Sequence, residues 1–368
     1  MVKGTDKIKN YEQELFFLLI VDRDNSEAIN KILETKKVDY YSLLGFLCFN
    51  RLAGLAYSNV RKYGYYIQNE QFVFALENMY NAQKLRNEML KEEICKINEV
   101  CRKKEIPFAL LKGSILNTII YGEGQRTSND VDILINSKDI TRLAEAVKTI
   151  GYIQGEYDIK TSKIIIPSRK EIIYRRMNWG EAYPFVKTFN SSLKYLEIDI
   201  NFSISWVPED GTTVQEMLER TKLYGENNLS SLSLEDFFIH LLMHLYKELI
   251  LYVCVEAMGD LEFYKFVDIV KFLKVYSKNL DKKKLMDKVR KFRLCNQIYT
   301  ALVYVNELLG RYEDILILDV LIKEMSIKGM VIEDSIIEPE KGKKYIYEGD
   351  IVDRLFDTDR VSKLREIK

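Results

Sequence analysis

Histidine occurs only twice in this chain, at His240 and His244, and the five cysteines include no C-x-x-C pair. A disulfide framework or a closed zinc site is therefore not expected, and a reducing compartment fits best. Proline is equally scarce: there are five, none before Pro107, so nothing in the first hundred residues forces a helix to stop. Net charge is missing as well. Lys+Arg and Asp+Glu both number 55, which removes any global argument for nucleic acid or an anionic membrane and leaves only local patches to consider. The apolar run 15–21 is too short to span a bilayer, and Glu12, Glu14 and Asp22 flank it, unlike a signal peptide. The expectation is a cytoplasmic protein.

What is present is a globular composition, 47% hydrophobic and 30% charged over 368 residues, enough for two or three domains. Residues 1–104 read as a helical region. Leu43, Leu44, Leu47, Leu52, Leu55 and Ala56 recur at helical spacing over 40–60, and 72–104 is a long amphipathic run. From 105 to 206 the pattern turns to α/β. Strands are expected at 108–111 and 131–135. Helices are expected at 115–121 and at 139–150, the second capped by Ser137. Further strands are expected at 163–166, 171–174, 184–189 and 195–202. In the last, Leu196, Ile198, Ile200 and Phe202 face one side and Glu197, Asp199 and Asn201 the other. Residues 207–330, after Pro208, read as helical again, with Ser233 and Asp236 resembling a capping box. Residues 331–368 form a charged tail with a short helix expected within 352–367.

The most informative stretch is 112–135, KGSILNTIIYGEGQRTSNDVDILI. Asp130 and Asp132 stand two apart on a strand, so both carboxylates share a face, where their repulsion is best relieved by a divalent cation. Oxygen-only ligands favour Mg²⁺ or Mn²⁺. The turn Gly113-Ser114 lets backbone approach a phosphate and adds a hydroxyl at a helix start. Asp199 is the best third carboxylate, with Glu197 second. Two carboxylates on a strand, a phosphate turn and a third acid suit transfer of a nucleotidyl group. Lys112 is either a phosphate-neutralising ammonium or a solvated lysine. Arg126 either binds phosphate or pairs with Asp130 or Asp132.

This order of elements resembles the nucleotidyltransferase superfamily related to DNA polymerase β. The details resemble a bacterial branch of it, with L-K-G, then Tyr, then R-x-x-x-D-[IV]-D-[IL]-L. These read here as Leu111-Lys112-Gly113, Tyr121, Arg126 and Asp130-Val131-Asp132-Ile133-Leu134. The branch's later D-[LI]-H-W strand, H-x-x-x-H pair and further Asp read here as Asp199-Ile200-Asn201-Phe202, His240 with His244, and Asp268. Asn201 and Phe202 depart from the His and Trp of the pattern. The resemblance implies an α+β fold: a polymerase-β-like core, a small mixed sheet with helices, flanked by N- and C-terminal helical regions. It implies catalysis at Asp130, Asp132 and Asp199, which would hold Mg²⁺, with Lys112, Gly113, Ser114 and Arg126 on the nucleotide. ATP is the expected co-substrate. The acceptor, a small molecule, peptide or protein, is not specified.

Two other functions compete. A glycosyltransferase also uses Asp-x-Asp, but it would need a nucleotide-binding α/β region before the motif, where this chain is helical. A non-catalytic, antitoxin-like module on the same scaffold would suit the changes at 201 and 202. The pair His240 and His244 has zinc-binding spacing, but Leu241-Leu242-Met243 lacks the glutamate of H-E-x-x-H, which favours packing. Asp268 reads as an intrachain partner. Residues 158–194 hold eight basic side chains against three acidic ones, with Trp179 and Tyr183 interleaved, so they read either as a solvated face or as a rim for an anionic ligand.

Overall fold

The computed structural model describes residues 10–191, 193–205, 212–313 and 315–367. The break expected at Pro208 lies outside the described residues. The N-terminal region is helical: α1 (Tyr11–Ile20), α2 (Ser26–Thr35), α3 (Tyr40–Phe49), α4 (Ala53–Tyr63) and α5 (Glu70–Lys103). Asn10, Asp39 and Asn69 each accept a backbone N–H of the following turn and so start α1, α3 and α5. The apolar run 15–21 is wholly buried, with Phe16 and Phe17 packed on Phe263 and Phe356 from the far end of the chain. The helical spacing over 40–60 resolves into two helices, because the chain turns at Asn50-Arg51 with Arg51 at φ 58°. Asn50 Oδ1 accepts the Phe263 N–H at 2.9 Å, so this turn is docked onto the C-terminal half.

The centre is a mixed sheet. Its first strands are β1 (Phe108–Leu110) and β2 (Asp130–Ile135), with α6 (Gly113–Ile119) between them and α7 (Ile140–Lys148) after. Then follow β3 (Ile153–Gln154), a hairpin of β4 (Glu156–Asp158) and β5 (Lys163–Ile165), α8 (Arg169–Asn178), β6 (Phe185–Thr188), β7 (Tyr195–Asn201), α9 (Thr212–Leu218), β8 (Lys222–Tyr224) and β9 (Leu229–Ser231). Among the described residues the sheet order is β3-β6-β7-β2-β1-β9-β8, with β2 and β7 parallel and β1 antiparallel to β2. The sheet thus takes strands from beyond residue 206. Leu196, Ile198 and Ile200 of β7 are fully buried, as strand alternation requires.

Two expectations in this region are corrected. Residues 171–174 are not a strand; they lie in α8. Ser168 and Glu171 form a reciprocal capping box, with Glu171 accepting the Ser168 N–H at 2.7 Å, and that start signal outweighs the β-leaning Ile-Ile-Tyr. Ser137 does not cap α7: Asn136 accepts the Lys138 N–H, a 3₁₀ turn follows, and α7 begins at Ile140.

The C-terminal half packs α10 (Leu234–Ile250), α11 (Tyr252–Glu256), α12 (Tyr264–Tyr276), α13 (Lys282–Lys291), α14 (Cys295–Leu309) and α15 (Leu316–Ile327). The tail is more structured than its composition predicts. β10 (Ile336–Glu338), β11 (Lys343–Tyr347) and β12 (Leu364–Ile367) form an antiparallel sheet around α16 (Ile351–Phe356), so the helix expected within 352–367 is short and ends in a strand. No helix among the described residues is long and apolar enough to cross a membrane. The molecule is an α+β protein with a mixed sheet between helical regions.

Candidate active site

Strand register brings the carboxylates together. In the parallel pair β2 and β7, Asp132 lies opposite Asp199 and Asp130 opposite Glu197. The turn at 111–113 reaches the same place, because the Leu111 N–H donates to the Asp132 carbonyl at 3.0 Å. The three aspartates line a cavity of about 260 Å³ with Lys112 and Gly113. Burial pushes the Asp199 carboxyl up to about 8, and the charges of Asp130 and Asp132 push the same way. Burial also raises Asp132, against the pull of the Lys112 ammonium.

The turn works differently from expectation. Lys112, just before Gly113, has a positive φ of 44° with ψ −124°, and a non-glycine residue held there stores strain of about 1–3 kcal/mol. Its ammonium reaches back to Asp132 Oδ1 at 2.7 Å. Burial disfavours that charge, but Asp132 and Asp130 hold it above its ordinary range. Gly113 is needed for closeness: a Cβ there would stand 2.0 Å from Ser128 Oγ and 2.3 Å from Arg126 Nη1. Ser114 is 1% exposed, its hydroxyl has no hydrogen-bond partner, and it does not line the cavity, whereas Thr127 and Ser128 do.

Arg126 lines the cavity but pairs with neither Asp130 nor Asp132. Its Nε and Nη2 donate to the two oxygens of Asp268 at 2.8 and 2.7 Å, and Tyr121 donates to the same carboxylate at 2.7 Å. All three residues are buried. From the other side, Asn87 and Arg86 of α5 donate to the carbonyls of Arg126 and Ser128. Loop 121–128 is thus fastened to α12 and α5 at once.

The helical half supplies the facing wall: Arg51, His244, Lys247, Glu248, Glu262 and Tyr264. Arg51 pairs with Glu262 at 2.9 Å, Lys247 with Glu181 at 3.2 Å, and Lys265 with both Glu262 and Glu248. Burial, with Lys112 nearby, holds both histidines below their ordinary value, His240 at about 3. His244 faces the cavity, and His240 stacks behind it with neither ring nitrogen hydrogen-bonded. Neither is part of a metal cluster, and among the described residues no three ligand-type side chains are already grouped around one point. The donor set nonetheless fits Mg²⁺ or Mn²⁺: hard oxygens of Asp130, Asp132 and Asp199 on one face, with repulsion met in part by Lys112, which a metal would displace from Asp132.

A sequence model of a family described as "Uncharacterised nucleotidyltransferase" matches residues 36–310. The chain belongs to that nucleotidyltransferase family. No curated protein and no solved structure matches it.

The family match spans both walls of the cavity, from Arg51 to Tyr264. Tyr121, Arg126 and Asp268, which the sequence pattern singled out, form one buried clamp. Sequence reasoning missed Arg51, Thr127, Ser128, Glu181, Lys247, Glu248, Glu262 and Tyr264 as site residues. Only Arg51 left a local signal, an Asn-Arg pair interrupting an apolar helical run. Thr127 and Ser128 stand between Arg126 and Asp130 in the 112–135 stretch, and the rest come from elements that only folding brings to the cavity.

Proposed function

We propose that the protein transfers a nucleoside monophosphate from an NTP, with ATP the expected donor, to an acceptor hydroxyl and releases pyrophosphate. The observation that carries this reading is the register of Asp132 against Asp199 with the Lys112-Gly113 turn at their side. Asp130, Asp132 and Asp199 would hold Mg²⁺, which when bound neutralises charge developing on the transferred phosphoryl group. The Lys112-Gly113 turn, which lines the cavity, receives the phosphates, and Thr127 and Ser128, the second of them packed against Gly113, offer hydroxyls beside it. Lys112, released from Asp132, adds a positive charge to the leaving pyrophosphate. Asp199 orients the acceptor hydroxyl and takes its proton. The Tyr121–Arg126–Asp268 clamp positions the loop that presses on Gly113 and touches no substrate.

A thermal-shift panel of the four NTPs with Mg²⁺ tests this. A ligand at about a hundredfold over its Kd adds about 2.7 kcal/mol to stability. The double variant Asp130→Asn, Asp132→Asn should lose the Mg²⁺-dependent part of that gain and roughly a thousandfold or more of nucleotidyl transfer, several kcal/mol in barrier. If the double variant is stabilised by Mg²⁺·ATP as fully as the parent, the metal assignment is wrong.

A further inference from the structure

The cavity is small. Pockets that enclose whole small molecules run from roughly 300 to 1,000 Å³, and 260 Å³ lies below that range, so much of the substrate pair must lie outside it. A second cleft, of about 770 Å³, adjoins it and shares Glu181 as a common wall. Glu181 is held from the cavity side by Lys247 at 3.2 Å and from the cleft side by Arg175 at 3.5 Å. It also bridges to Asn201, two residues beyond Asp199 on β7.

The sheet order gives the cleft its direction. The phosphate turn follows β1, Asp130 and Asp132 lie on β2, Asp199 on β7, and the cleft lies beyond, against α8 and the start of β6. The cleft is therefore on the side of the residue that receives the acceptor, away from the phosphate turn. Lys170, Glu171, Tyr174, Arg175, Trp179 and Tyr183 line most of the rest of it, and Tyr, Trp and Arg are the side chains enriched where proteins bind partners.

The ground around the cleft separates the acceptor classes. No residue of α8 is buried. Ile173, Tyr174 and Met177 lie within about 100° of one another around that helix and are 45%, 52% and 70% exposed, while Ile159, Ile165 and Ile166 of the neighbouring hairpin are 72%, 54% and 64% exposed. Several exposed aliphatic side chains gathered beside an active site suit a protein contact. A small acceptor would leave them wet, and isoleucine and methionine give RNA little to bind, so it is this aliphatic surface, and not the cation-and-aromatic lining that an RNA site would share, that favours a polypeptide. Basic side chains outnumber acidic ones on the same platform: Arg169, Lys170, Arg176, Lys160 and Lys163 are exposed on it, against exposed Glu156 and Glu171.

We infer that the α8–hairpin platform and its cleft dock an acidic polypeptide segment and present one of its hydroxyl side chains to Asp199. This rests on the nucleotidyl-transfer reading above. The Ser, Thr or Tyr oxygen forms a bond to the α-phosphorus, the bond from that phosphorus to the bridging oxygen breaks, pyrophosphate leaves, and the hydroxyl proton passes to Asp199 and then to solvent.

The test uses the full chain with α-labelled ATP, Mg²⁺ and four probes. They are an acidic Glu/Tyr copolymer together with Glu-rich peptides carrying one Ser, Thr or Tyr, a basic Lys/Tyr copolymer, N-acetyltyrosinamide, and a single-stranded RNA oligonucleotide. Label should enter the acidic polypeptides, less so as salt rises, and should fall tenfold or more at limiting probe in Ile173→Asp with Met177→Asp and in Arg169→Glu with Lys160→Glu. Stabilisation by Mg²⁺·ATP reports that each variant is folded. The inference is overturned if nucleotide stabilises the parent but the acidic probes stay unlabelled. It is equally overturned if the basic copolymer, the amide or RNA is labelled as well or better, or if folded variants label as the parent does. Failure of every NTP to stabilise the parent would instead remove the nucleotidyl-transfer reading, and this inference with it.

Discussion

A single methyl group at Gly113 has nowhere to go. Its Cβ would overlap Ser128 Oγ and Arg126 Nη1, the end of a side chain already pinned by Asp268. Gly113→Ala is expected to cost about 1–3 kcal/mol by overpacking and to push loop 126–128 off the turn. Urea denaturation should show the loss, and Mg²⁺·ATP stabilisation should shrink with it; an alanine variant as stable and responsive as the parent would refute the close-approach role. Asp268→Asn tests the other end of the clamp. It leaves the buried Arg126 guanidinium without its countercharge, for which about 3–5 kcal/mol is the usual cost. Arg126→Met combined with Asp268→Leu should recover much of that stability in urea while nucleotide binding stays weak. At this scale the motif letters were readable: 112–114, 130, 132 and 199 stand out by type and spacing. Their roles were not all readable. The positive φ sits on Lys112, Ser114 turns inward, and Arg126 finds a partner 142 residues away, because which neighbours a side chain meets is set by elements remote in sequence.

Among the elements, α10 carries a pH dependence. His240 is buried with neither nitrogen paired, and burial holds it at about 3 against an ordinary 6.5. Such an imidazole binds fewer protons folded than unfolded. Its contribution is therefore complete above pH 6.5 and drains away as pH falls toward 3, by up to about 1.4 kcal/mol per pH unit for one group. His240→Leu removes that share without breaking a hydrogen bond, so unfolding free energy should fall less steeply between pH 6.5 and 4.5 than in the parent. Equal slopes in the two proteins would contradict a neutral, buried His240. The elements themselves were largely legible. The 34-residue α5 is visible in its periodicity, and β7 in its alternation. Glu171–Tyr174 misleads because β-branched content and a capping box compete over four residues, and the box, by satisfying backbone donors at the helix start, prevails.

On the scale of the whole molecule, the tail closes on the loop that carries Glu262. Arg354 and Arg360 both bind the fully buried Asp260, two residues before Glu262, which pairs with Arg51 in the cavity wall. Removing residues 332–368 would leave Asp260 buried and unpaired, so a loss of at least about 3 kcal/mol is expected. Hydrogen exchange should show amides 257–263 deprotected more than those of β2 and β7; unchanged protection there would show that the tail does not brace the site. The chain's own pattern determined the helix–sheet–helix succession, the carboxylate pair and the family, since these rest on local periodicity and on residue types a few positions apart. Only the tertiary structure decided which wall faces the aspartates, what Arg126 holds, and that a charged tail folds as a small sheet whose α16 and Arg360 hold the loop. Those outcomes depend on packing between segments far apart in sequence, where burial and desolvation choose the partners.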